Sequence, residues 1–302
     1  MLLTRTNFGH LLKPGQSKIF FDSYNEFPAQ YSSVFKLENS SQKEEKVTRV
    51  GSFGLWKENS EGNPISEDVL EEGEQIVFKN KRFDKGYHIT WEMVQDEQNG
   101  IWNGRVGKGG NARSLGRSLR ATVESEACKV LDGGFTNNGY DGKPLFATDH
   151  PMLKSESKTG SNKIDGVLSA EKLKDACVML RSQKDEAGAA PIAAVPHKLI
   201  VPPDLEFTAK SILNSTDVSQ NGNTLPNLEV VVMDYLTNTQ QWFVQAKGIE
   251  NLIFFWRETP VFGAQNIEKT MDWFFYGYAR WSCGYTDWRG IVGGAPVASS
   301  SK

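Results

Sequence analysis

The strongest constraint on the fold lies near the C-terminal end. The segment TMDWFFYGYARWSCGYTDWRGIV, residues 270–292, alternates as one long strand. Trp273, Phe275, Ala279, Trp281 and Cys283 fall on one side, and Phe274, Tyr276, Tyr278 and Arg280 on the other. A strand with bulky aromatics on both faces needs cover on both faces, because exposed ring surface costs free energy in proportion to its area. That cover is either the chain's own core or a partner subunit. With 302 residues the chain is long enough to build a sizeable core.

The rest of the pattern predicts an α+β fold. Residues 1–48 are polar and weakly periodic, and read as an extended or partly disordered arm. In QIVFKN, Ile76 and Phe78 share a face; in YHITWEM, Tyr87, Ile89 and Trp91 do. KRFDKG, between them, can supply the turn of a long hairpin. A helix is predicted over 111–132, where Ala112, Leu115, Leu119, Val123, Ala127 and Val130 recur at three- and four-residue steps before Gly133-Gly134. A second starts near Ser169, with Leu173, Ala176, Cys177 and Leu180 as its apolar stripe and Leu168 as a staple. HKLIV, LEVVVM, QQWFVQA and NLIFFW read as strands and PPDLEFTAKSILN as a helix, so helices and strands mix around one sheet.

Several function classes are disfavoured. The formal net charge is -3 with charges of both signs mixed along the chain, unlike a surface built to bind phosphates. The three cysteines, Cys128, Cys177 and Cys283, are widely spaced among apolar neighbours, which predicts a reduced, intracellularly folded protein. No apolar run approaches the roughly 18 residues of a membrane span, and the first residues do not read as a signal peptide. The four histidines, His10, His88, His150 and His197, show no zinc-ligand spacing, and no cofactor is implied. The glycine-rich stretch at 104–110 fails as a phosphate loop, because Gly109 follows Gly107-Lys108 where Ser or Thr is needed.

Two features remain as candidate sites. The first is the charged hairpin. Glu67, Asp68, Glu71, Glu72 and Glu74 precede it, and Lys79, Lys81, Arg82 and Lys85 lie at its expected tip. Either these are solvated charges with local ion pairs, or the loop protrudes and meets the opposite charges of a neighbouring copy. On the second reading Glu71, Glu72, Phe78, Lys79, Lys81, Arg82 and Phe83 form a subunit interface. The second feature is DGKPLFATDHP, 141–151, where Asp149 and His150 could serve a soluble hydrolase. Adjacent residues usually diverge, no nucleophile accompanies them, and loop fixing through hydrogen bonds to backbone is the ordinary role.

The ordered set of these segments resembles the major capsid proteins of tailed phages, with the Hong Kong 97 fold, and is most similar to the Mu-like major head subunits. KRFDKGYHITWEMVQDEQNG, the helix at 111–132, DGKPLFATDHP with Ser161-Asn162, LIVPPDLEFTAKSILNS and CGYTDWRGIVG carry the resemblance, spanning roughly residues 50–293 in order. It implies an N-terminal arm over 1–48 and an extended loop over 49–98. A peripheral domain with its spine helix would follow over 99–162, then an axial domain over 163–268, with return strands and tail over 269–302. It further implies self-assembly into pentamers and hexamers of an icosahedral shell around double-stranded DNA. Scaffold, portal and decoration proteins would be partners, DNA would be touched only non-specifically, and no membrane would be involved. The place would be the virion capsid, assembled in the host cytoplasm. A shell protein of an encapsulin-like nanocompartment shares the fold and stays open as an alternative.

Overall fold

A computed structural model describes residues 5–53, 55–65, 67–90, 110–152, 155–186, 190–214, 226–267 and 272–296, with single positions 92, 96, 188 and 270. Trp91 and most of the glycine-rich stretch at 104–110 lie outside the described residues. The helices are α1 (Arg5–Tyr24), α2 (Tyr31–Val34), α3 (Asn111–Asp132), α4 (Ala170–Ser182) and α5 (Glu206–Asn214). The strands are β1 (Lys36–Asn39), β2 (Glu44–Val50), β3 (Glu72–Lys79), β4 (Lys81–Ile89), β5 (His150–Met152), β6 (Ser155–Gly160) and β7 (Lys163–Asp165). They continue as β8 (Val195–Val201), β9 (Glu229–Val232), β10 (Trp242–Lys247), β11 (Leu252–Ile267), β12 (Asp272–Tyr285) and β13 (Ile291–Ala295).

The aromatic segment is β12 only as far as Tyr285, since Ile291 and Val292 open β13, and the chain itself covers the first face of β12. It lies inside a four-stranded sheet of order β1-β11-β12-β4, antiparallel except where β1 runs parallel to β11. Phe275 packs with Phe20 of α1 and with Ala112 and Leu115 of α3. Ala279 and Trp281 pack with Val123, Ala127 and Leu131 further along α3. Each large side chain so buried contributes about 2–3 kcal/mol. On the other face Phe274, Tyr276, Tyr278 and Arg280 stay half-buried.

The second sheet has order β7-β13-β10-β8-β9, with α4 and α5 packed against it. Leu173, Ala176, Cys177 and Leu180 all face that sheet, as their spacing predicts, and the Ser169 hydroxyl caps α4 by accepting from the Lys172 N–H at 3.2 Å. Ile200, Val231 and Phe243 on its other side share one core with α3 and β12, so the two sheets are joined through a common interior.

The single sheet expected for HKLIV, LEVVVM, QQWFVQA and NLIFFW is divided in two, with β11 beside β12 and the other three in the second sheet. Two further expectations are corrected. The extended chain expected over 1–48 contains α1, a 20-residue helix. Gly9, Pro14 and Gly15 blur its periodicity, and packing on α3 overrides that weak propensity. The close approach depends on Gly116, where a Cβ would fall 2.4 Å from the Phe20 carbonyl oxygen. The second correction concerns the hairpin. β3 pairs with β2, from Glu44 opposite Lys79 to Val50 opposite Glu72, and not with β4. KRFDKG is the first part of β4, paired along β12 from Lys81 opposite Trp281 to Ile89 opposite Trp273, and only Asn80 separates β3 from β4. Its charges made it look like a turn, yet charge is what an edge strand carries to stay unpaired. Gly86 makes no turn either; a Cβ there would lie 2.5 Å from the Phe274 ring.

Candidate functional site

The β2–β3 ladder forms an arm, and its tip is the segment 51–71. The Gly51 N–H donates to the Glu71 carbonyl at 2.8 Å and closes the base of the tip. Beyond that closure Phe53, Leu55, Trp56, Ile65, Val69 and Leu70 are exposed, Trp56 to 97% and Ile65 to 89%. Apolar side chains concentrated on one protruding segment mark a contact surface rather than ordinary surface scatter. The tip and the start of β3 also carry Glu58, Glu61, Glu67, Asp68, Glu71, Glu72 and Glu74 against Lys57.

The seven candidate interface residues are split by the arm's geometry. Glu71 and Glu72 lie where the tip enters β3, and Lys79 at its far end, roughly 23 Å away at strand rise. Acids and bases of this set therefore cannot neutralise one another within the chain. Lys81 and Arg82 are exposed on the β4 edge, where Arg82 pairs with Asp84 at 2.9 Å and lies over the Tyr278 ring at 5.2 Å. Phe83 stacks on Trp281 with ring centres 3.8 Å apart. Phe78 is buried against Ile253 and Phe255, so it anchors the arm to its own body and is not available at the surface.

Beside the β4 edge runs a groove of about 250 Å³. Phe20, Phe83, Leu115 and Leu119 line it, and Arg82, Asp84 and Lys85 stand among the polar groups around them. On the same helix Arg113 and Arg117 both reach Glu26, at 3.1 and 2.8 Å, and the Arg117 contact holds the Glu26 carboxyl below the usual range.

The loop that suggested acid–base chemistry is a buried polar knot. His150 is 1% exposed, and its ring stacks on Trp288 at 4.4 Å. Its partner is Asp141, with Nδ1 2.6 Å from Oδ2, and not Asp149. Asp149 faces outward and pairs with Lys143, whose ammonium lowers the pKa of that carboxyl. His150 Nε2 lies 3.1 Å from Asn162 Oδ1. The Asn162 amide nitrogen donates to the carbonyls of Leu145, Trp288 and Ile291 at 2.7, 3.1 and 3.2 Å, and its oxygen accepts from the Ala147 N–H at 3.0 Å. The amide orientation follows from these bonds, so both neighbours of the imidazole, the Asp141 carboxylate and Asn162 Oδ1, are hydrogen-bond acceptors. The knot joins the loop after α3 to the closing segment at 288–291. Asp141 and Asn162 escaped the reading of the residues as partners; the signal was their presence on either side of His150 within one resembling motif.

Among the described residues, no group of three or more His, Cys, Asp or Glu is placed to hold a metal ion. Burial raises the thiols of Cys128 and Cys283 to about 12 and that of Cys177 to about 11.

Comparison with known proteins bears on this architecture directly. Residues 73–293 match the family model described as phage capsid protein. The major capsid protein of Escherichia phage Mu is 27% identical over 144 residues, covering 48% of this chain and 44% of that relative. The matched region thus spans less than half of the relative's length. Among solved structures, a chain of the bacteriophage JBD30 procapsid is 16% identical with a TM-score of 0.52, covering 99% of this chain and 78% of its own. A virus-like particle from Pyrococcus furiosus is 13% identical with a TM-score of 0.52, covering 92% and 96%. At such identities the likeness concerns the fold, which is the Hong Kong 97-like capsid fold expected from the motifs. The family model covers well over half of the sequence, so the chain belongs to the phage capsid protein family.

Proposed function

We propose that this chain is a major capsid subunit that assembles through its arm into pentamers and hexamers of an icosahedral shell around phage double-stranded DNA. One observation carries the reading: the arm tip exposes six large apolar side chains. A second copy covers them, and repeated head-to-tail contacts of this kind close into rings. Many modest contacts then add through avidity. The acidic tip faces the basic β4 edge of the next copy, with Glu71 and Glu72 on one side and Lys79, Lys81 and Arg82 on the other. The groove beside Phe83 receives the tip's apolar residues. The chain before β2 acts as the N-terminal arm, the β2–β3 ladder with its tip as the extended loop in place of the whole of 49–98, and 163–268 as the axial domain. Scaffold, portal and decoration proteins are the further partners this role calls for, and the virion is its place.

The nanocompartment reading shares the fold. The family model and the Mu relative favour the phage shell. The test is assembly of the full chain, alone or with its scaffold, followed by light scattering and electron microscopy. Pentamers, hexamers or megadalton shells are expected. A strictly monomeric species under all assembly conditions overturns the proposal.

A further inference from the structure

Besides the Phe78 packing and the Asn80 hydrogen bonds, the arm is tied to the body by an ionic contact, and next to it the Ser52 hydroxyl donates to Asp185 at 3.2 Å. Arg49, on β2, is buried. Its Nε and Nη2 donate to the two carboxylate oxygens of Glu186 at 2.7 and 2.5 Å. Glu186 belongs to the body, in the segment after α4. The same carboxylate accepts from Arg289 Nη1 and Nη2 at 2.5 and 3.2 Å. Arg289 is fixed in turn by Asp287 at 3.1 Å and by the Lys184 carbonyl at 2.8 Å. One glutamate therefore sits between two guanidiniums, one carried by the arm and one by the body. The Tyr140 ring lies 5.3 Å from the arm's guanidinium.

We propose that Arg49 and Glu186 form a latch that sets the angle of the arm, which swings about its greasy root at Phe78, Ile253 and Phe255. Three features distinguish a latch from a fixed buried ion pair. Removing one member of such a pair usually strands a buried charge. Here withdrawal of Arg49 leaves Glu186 still held by both nitrogens of Arg289. Arg49 has a partner of its own on the arm, Glu74, 3.6 Å away and half-exposed to water. Both the docked and the released arm are thus satisfied electrostatically, which is what a two-state element requires. Finally, the packing around Phe78 is a small apolar cluster whose non-directional contacts tolerate rotation, while the hydrogen bonds of Asn80 with Ser40, the Gln42 carbonyl and Ser282 hold the end of the arm as its pivot. The consequence for shell geometry rests on the capsid reading, because the arm angle fixes where the tip meets the next copy. The latch itself does not rest on that reading.

Hydrogen exchange in the full-length chain, kept unassembled, tests the latch without any shell. With Arg49→Gln, amides of β2 and β3 are expected to exchange roughly tenfold faster or more, while β10 and β13 keep wild-type rates, as for a local opening. Arg49→Lys keeps the charge, loses the two-pronged contact, and is expected to give a smaller acceleration confined to the arm. It also serves if Arg49→Gln does not fold. Unchanged exchange in the arm overturns the latch. So does equal acceleration of the arm and of β10 and β13, which would mean that the cluster only holds the fold together.

Discussion

Asn162 is where the polar groups of the closing segment converge. Replacing it with Ala leaves three carbonyls, the Ala147 N–H and His150 Nε2 without their partner in the interior. Each abandoned buried group costs about 1 kcal/mol or more, so a loss of about 3 kcal/mol is expected, read as a lower thermal midpoint. A midpoint within a degree of wild type would show that the knot is dispensable. The cysteines give a second residue-scale test. A thiol raised to about 11 or 12 is protonated at neutral pH and gains thiolate only as pH climbs towards that value. Native protein should therefore react slowly with a disulfide reagent at both pH 7 and pH 9, and all three thiols should react once denatured. Fast reaction of one thiol in the folded chain would contradict its burial. At this scale the sequence showed that His150 mattered without showing why. Asp149 stood next to it, but neighbours on extended chain point apart, and the true partner, Asp141, is fixed only by the turn that returns the loop.

At the scale of elements, legibility followed self-sufficiency. α3 and α4 carry complete apolar stripes and could be drawn from spacing alone. β12 was readable because nothing but a strand puts aromatics alternately on two faces. α1 and β4 were not, since α1 owes its place to a glycine on another helix and β4 is a polar edge strand whose partner lies nearly 200 residues on. This dependence can be tested at Gly116. Alanine favours an isolated helix over glycine by about 1 kcal/mol. In this position its methyl would collide with the Phe20 carbonyl and the Ser23 hydroxyl, each 2.4 Å away. Gly116→Ala should destabilise by about 2 kcal/mol, as overpacking does, and expose α1 to limited proteolysis. A gain in stability would mean that α1 docks less closely than described.

For the whole molecule, the proposed interface sets the acidic tip of one copy against the basic β4 edge of the next. Reversing Lys81 and Arg82 to Glu should abolish or strongly reduce shell yield while circular dichroism of the subunit stays unchanged, and Trp56→Ser should do the same by removing apolar contact. Unaltered yield for either variant would remove that residue from the interface. The seven interface residues read from the sequence include one that the fold uses otherwise, for a physical reason. Charge separation is visible in a string of letters, but whether a phenylalanine serves a neighbour or its own sheet depends on which strands pair. Phe78 serves its own sheet. The single residue between β3 and β4 has a mechanical meaning as well. Asn80 is held by Ser40, the Gln42 carbonyl and Ser282, so the chain passes from arm to sheet with no slack. A tug on the arm tip is then transmitted along β4, against nine residue pairs with β12 loaded together in shear instead of opened one at a time. In the proposed shell the arm would act as a tension cable anchored in the sheet, so that strain between neighbouring subunits is carried by the sheet and not by a loop.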